Sequence, residues 1–156
     1  MPDADPADEP DEEGPAEEAP AEERAADDSG PDRLAPFDED VVAAVASETG
    51  GSEADLWDAL DRHQAYADSL PSVEDLVYEW RTQLPYDPLV ARTDAAYYVA
   101  LLPGVWTEFG DQMGLSGATI TRLREVHDRQ ARRAAEARGD STDPYEGAAP
   151  MVLARV

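Results

Sequence analysis

A glycine and a serine two positions apart, Gly114 and Ser116, stand between two stretches of helical periodicity, and this punctuation constrains the chain more than any other feature. Upstream, Val105, Trp106, Phe109 and Met113 recur at the spacing of one helix face. Gly114 can take the left-handed conformation that ends a helix, and Ser116 can accept a hydrogen bond from the first free amides of the next one. Downstream, Ala118, Ile120, Leu123 and Val126 give the second helix an apolar stripe. The stretch Trp106 to Arg138 therefore reads as helix, tight turn, helix. The pattern recurs earlier. Sliding the chain so that Val45 lies on Phe109, a shift of 64 positions, superposes Gly50 on Gly114, Ser52 on Ser116, Ala54 on Ala118, Leu56 on Ile120 and His63 on His127.

A small residue at Gly110, the turn glycine Gly114, and apolar anchors at Ile120 and Leu123 resemble the DNA-binding helix-turn-helix pattern. Residues 45–63 resemble it too, with Ala46 at the small position. The charges of the two units differ. The second helix of the first carries Glu53, Asp55, Asp58 and Asp61 against Arg62, which would repel a phosphate backbone. Residues 116–138 carry Arg122, Arg124, Arg129, Arg132, Arg133 and Arg138 against Glu125, Asp128 and Glu136. At about 100° per residue, Arg122, Arg129 and Arg133 share a face. The resemblance implies DNA contact through Ser116, Thr119, Thr121, Arg122, Arg129 and Arg133, with the threonines and Arg122 near bases and the other two arginines on phosphates. The sequence does not set the oligomeric state; a dimer is compatible with the DNA-binding reading. The other reading is a helical protein-interaction or adaptor module without nucleic-acid contact. In that case Glu125–Arg129, Asp128–Arg132 and Arg132–Glu136 are simply i,i+4 pairs supporting a solvated helix.

Composition narrows the setting. The 156 residues hold 36 acids against 12 basic residues, for a net charge of −24, and every basic residue is arginine. An acidic, lysine-free, alanine-rich chain of this kind resembles the small uncharacterised acidic proteins of haloarchaea, a resemblance that brings no activity with it. In roughly molar salt the screening length shrinks to about 3 Å, so dense like charge is tolerated. There is no cysteine, which excludes disulfides and thiolate zinc sites. The longest apolar run, Ala95 to Trp106, is short for a membrane span and is broken by Pro103 and Gly104. A cytoplasmic location is expected.

Enzyme chemistry, cofactors and metals are not expected. No HExxH, phosphate-cradling glycine loop or GxSxG occurs. His63 lies on an apolar face with Leu56, Leu60, Ala67 and Leu70, the place of a satisfied core histidine. His127 stands beside Asp128 without a second histidine nearby in sequence. Trp57, Trp80 and Trp106 sit in helical stripes and are expected to pack the core.

The expected fold is all-α, with one place for a short strand near 96–102. Residues 1–36, with 14 acids against Arg24 and Arg33, form an expected disordered tail. A helical domain should span 37–138, with helix-turn-helix-like units at 38–70 and 103–138. Asp38, Ser52 and Ser72 are expected caps, Phe37 and Val42 a hydrophobic staple, and residues 85–92 a loop punctuated by Pro85 and Pro88. Between Asp94 and Leu102, Tyr97, Tyr98, Leu101 and Leu102 fit a helix face capped by Thr93, whereas Tyr97, Val99 and Leu101 alternate as in a strand; helix is the expectation. Residues 139–156 return to a disorder-like composition, with Met151–Leu153 able to dock as a hook.

Overall fold

Three serines start helices by the same device. The structure, a computed structural model, describes residues 33–155. Helix α1 (Glu39–Thr49) ends at Gly50, whose φ of 74° is the left-handed geometry a glycine adopts without strain. Ser52 then opens α2 (Glu53–Asp68), its Oγ accepting from the Asp55 amide, and Ser72 opens α3 (Val73–Gln83) through the Asp75 amide. Strands β1 (Leu89–Arg92) and β2 (Ala96–Leu101) follow. Helix α4 (Pro103–Met113) begins on a proline, where a missing N–H costs nothing, and ends at Gly114. The long α5 (Gly117–Arg138) is capped by Ser116, whose Oγ accepts from the Thr119 amide. A 3₁₀ turn (Asp143–Tyr145) leads into the last strand, β3 (Ala149–Ala154). Asp38 occupies the cap position of α1 but makes no side-chain cap; its carboxylate accepts from Gln130 and Arg133 instead.

The strands form one antiparallel sheet in the order β1-β2-β3. Tyr97 pairs with Leu153, Val99 with Met151 and Leu101 with Ala149, while β1 meets β2 through an irregular register between Leu89 and Ala91. Every residue of β3 is buried. Helix α5 lies at the centre of the molecule, in contact with α1, α2, α4 and β3. Val42, Val45, Leu60, Leu101, Trp106, Leu123, Val126, Met151 and Leu153 are fully buried in one continuous core. Trp57 and Trp80 pack against its margin.

Several expectations are corrected. The fold is mixed α/β, mostly helical, and not all-α. The segment near 96–102 is strand rather than helix: β-branched and aromatic residues alternate there, and the decisive partner is β3, more than 50 positions away (Tyr97 against Leu153). The loop 85–92 contains β1. Residues 139–155 are no disordered tail, because Met151, Val152 and Leu153 are each fully buried. Burial of such side chains contributes about 1.5–3 kcal/mol apiece, which works against the ordering cost of about 1–2 kcal/mol per residue alongside the pairing with β2. A polar, glycine-rich lead-in, Gly139 to Ala148, hides this in an average over the whole tail. The disorder expected of residues 1–36 lies, up to Asp32, outside the described residues.

Candidate functional site

The two helix-turn-helix-like units have the same local geometry at the same spacing. Helices α1 and α4 begin at Glu39 and Pro103 and end at Thr49 and Met113, and α2 and α5 begin at Glu53 and Gly117, all 64 positions apart. The turns agree in detail: Gly51 N–H donates to Ala46 C=O at 3.1 Å, and Leu115 N–H donates to Gly110 C=O at 2.9 Å. Gly110 has no room for a side chain, since a Cβ there would lie 2.7 Å from Ile120 Cγ1. The small contact residue inferred from sequence is therefore a steric requirement.

The units meet through their equivalent histidines. The His63 and His127 rings lie edge to face with centroids 5.0 Å apart, and His63 stacks on Trp106 at 4.8 Å and 16°. Phe37 and Trp106 both stand edge-on to His127. Both histidines are completely buried. His63 is a core residue as expected, but it is not satisfied: neither ring nitrogen has a hydrogen-bond partner. Nor does His127 lack a neighbouring histidine. Its Nδ1 accepts from the Val152 amide at 2.9 Å, so the neutral ring carries its proton on Nε2, which has no partner. Burial pushes the His63 pKa down to about 3. Burial, and secondarily the charge His63 would carry, holds that of His127 well below 6.5.

These residues belong to a set that seals the outer edge of β3. Gln64 Nε2 donates to Val152 C=O at 2.8 Å, and Gln64 Oε1 accepts from the Ala154 amide at 2.8 Å. Trp106 Nε1 donates to Pro150 C=O at 3.3 Å. With His127, three side chains from α2, α4 and α5 take up the backbone groups that a further strand would otherwise pair. Gln64 is one helical turn beyond Leu60, on the buried stripe, so a polar residue at an apolar position was the available signal. The role of His127 needed β3 to be recognised first.

The candidate DNA-contacting residues are brought onto one helix, and its three candidate arginines are engaged with α1 and the residue that precedes it. Arg122 Nε donates to Thr49 Oγ1 at 3.2 Å, its guanidinium lying over Gly51. Arg129 holds Glu48 at 2.6 Å and Glu125 at 2.7 Å. Arg133 holds Asp40 at 2.9 Å and Asp38 at 3.3 Å. The arginine stripe therefore faces α1, running antiparallel to it. Hydrogen bonds donated to the acids raise both guanidinium pKa values, and the same bonds lower those of Glu48 and Asp40. Ser116 is a cap whose hydroxyl also donates to Thr119 Oγ1, and Thr121 Oγ1 donates back to Gly117 C=O. Thr121 is exposed, and Arg124 makes no ion pair among the described residues. A groove of about 330 Å³ separates the starts of α2 and α5, lined by Gly51, Asp55, Asp58, Arg62, Thr119 and Arg122. Among the described residues no three histidines or carboxylates are grouped to hold a metal ion, and no helix is long and apolar enough to cross a membrane.

A family described as a domain of unknown function, DUF8048, matches residues 35–155. The chain belongs to the DUF8048 family. The match takes in both helical units, the sheet and the residues that seal β3. No curated protein and no solved structure matches this DUF8048 chain.

Proposed function

We propose that this DUF8048 chain is a cytoplasmic, non-enzymatic protein-interaction module of a high-salt cell, and that its partner is a basic polypeptide. The observation that carries this reading is the use of Arg129 and Arg133 to bind acids of α1 and its cap position: cations already paired with Glu48, Asp38 and Asp40 have little to offer phosphates, and Arg122 is turned toward Thr49.

The free surface supports a protein partner. Among the described residues, no side chain hydrogen-bonds the backbone of Val90, Ala91 or Arg92, so the β1 edge is open where the β3 edge is sealed. Tyr86, 37% exposed, precedes β1 and reaches the sheet through a hydrogen bond to Ala100 C=O, and Leu102, 56% exposed, follows the end of β2. An incoming extended segment would gain backbone pairing along β1 and apolar contact beside it. The net charge of −24, with Asp55, Asp58, Glu74 and Asp75 free of ion pairs among the described residues, selects a partner rich in lysine or arginine.

Two experiments at multimolar KCl test the reading. A photo-crosslinker replacing Tyr86 should capture a basic protein that one replacing exposed Ala137 on α5 does not. In parallel, wild type and Arg122→Ala should enrich no sequence from a pool of genomic DNA fragments. Enrichment of a defined sequence that Arg122→Ala relaxes would restore the nucleic-acid reading.

A further inference from the structure

The three side chains that seal β3 are one cluster, and its centre is a pair of bases. His127 holds the Val152 amide, Gln64 directly follows His63 in sequence, and Trp106 stacks on His63. His127 and Trp106 thus touch, and Gln64 follows in sequence, an imidazole that burial keeps neutral on the acid side of its ordinary pKa. We propose that the His63–His127 pair is an acid-sensitive latch that keeps β3 in the sheet and releases it when the rings take up protons.

The chemistry is direct. A proton on His127 Nδ1 replaces the lone pair that accepts from Val152 N–H, so two donors face each other across 2.9 Å and the contact turns from attractive to repulsive. A proton on His63 puts a positive charge 5.0 Å, ring centre to ring centre, from a second imidazole. Neither charge can be neutralised in place. Strand β3 has no ionisable side chain, and β2 presents only tyrosines. Helix α4 turns Glu108 and Asp111 to solvent, and α1 does the same with Glu39, Asp40 and Glu48. On α2, Asp61 pairs with Arg33 and Arg62 is exposed; on α5, Asp128 is occupied by Arg132 at the surface. On α3, Glu74, Asp75, Glu79 and Arg81 are all exposed. No carboxylate faces either ring, so the route to protonation is exposure of the rings to water, and β3 is the strand bonded directly to one of them, through Val152 N–H on His127.

Release would leave α1 to α4 tied through contacts that do not involve β3, such as the α1–α2 and α3–α2 packing, while uncovering the β2 edge from Tyr97 to Leu101. Each ring that is neutral in the closed state and ordinary, near pKa 6.5, in the released state contributes almost a factor of ten per pH unit on the acid side. For both rings together the released fraction should rise on the order of 60-fold between pH 6 and pH 5.

Hydrogen exchange of the full chain, corrected for the intrinsic pH dependence of exchange, reads this by segment. Between pH 7.5 and 4.5, protection at residues 149–154 and in their partners 96–101 should fall first, with residues 41–46 and 56–62 still protected. His127→Gln supplies a neutral oxygen to accept from Val152 N–H and should move the release midpoint down by more than one pH unit. Should that variant fail to fold, His63→Phe keeps the ring stack on Trp106, removes one proton and should halve the steepness of the pH dependence. Loss of protection in all segments together, or a midpoint unmoved in the variants that fold, overturns the proposal.

Discussion

Helices α1–α2 and α4–α5 are built on one plan and filled with opposite chemistry. Both pairs turn through a left-handed glycine followed by a capping serine, at Gly50 with Ser52 and at Gly114 with Ser116. In the first pair the second helix carries its acids outward; in the second, the arginines of α5 reach back across the molecule to acids at both ends of α1. The turn geometry depends on only a few positions, so it survives a change of nearly every other residue. Charge is free to diverge, and here it has diverged so that one pair neutralises part of the other. A basic helix face on an acidic protein is thus an internal contact before it is a site.

The likeness between the pairs can be broken most severely at Trp106 and its equivalent, Val42. Trp106→Ala removes a fully buried ring that also holds Pro150, and should lower stability by about 3–5 kcal/mol. Val42→Ala removes two methyl groups at about 0.8 kcal/mol each and should cost roughly 1–2 kcal/mol. Denaturant melts of the two variants give the comparison; equal losses would mean that the edge of β3 does not depend on Trp106.

Acid should act next. The folded pKa values of His63 and His127 are depressed, so the unfolded chain binds their protons first. The stability they leave intact is whole above pH 6.5 and is lost as pH falls toward about 3, the folded value for His63. Between pH 6 and pH 5 the two together should remove about 2 kcal/mol. Melts of wild type and a His63→Phe variant, compared at both pH values, check the sign; a stability that rises on acidification would contradict it.

Gly110→Ala tests the steric difference at the helix crossing. Its Cβ would meet Ile120 at 2.7 Å, whereas Ala46 already carries a Cβ at the equivalent place, so a loss of about 1–3 kcal/mol is expected for Gly110→Ala. Restoring space with Ile120→Val should recover part of it. Smallest and most alike should be the caps: Ser52→Ala and Ser116→Ala should each cost about 1 kcal/mol, and a difference much larger than that would show the two turns to be less equivalent than their geometry.

Local signals in the sequence reported local structure well. The serine caps, the glycine stops and the small residue at 110 act over a few positions, and the helices they frame lie where periodicity places them. What depends on distant partners was not legible. Tyr97 to Leu101 alternates like a strand, but its neighbour β3 arrives after two further helices, and a strand without a visible partner reads as well as a helix. The alignment of Arg122, Arg129 and Arg133 was legible as a face, while what that face meets, Thr49, Glu48 and Asp40, depended on how α1 packs. His127 looked solitary because its histidine partner is 64 positions away.

Pro150 has a consequence for errors of assembly. Since Val152 turns its amide toward His127 and its carbonyl toward Gln64, the positions 150, 152 and 154 point their backbone groups away from β2. Proline there lacks an N–H that the ladder never needed. A slip of β3 by one residue would bring Pro150 to face β2, leaving a gap in the ladder, and would turn Met151 and Leu153 out of their places on the other face. One residue without a donor therefore makes the neighbouring registers unequal, and the sheet can close with its last strand in only one of them.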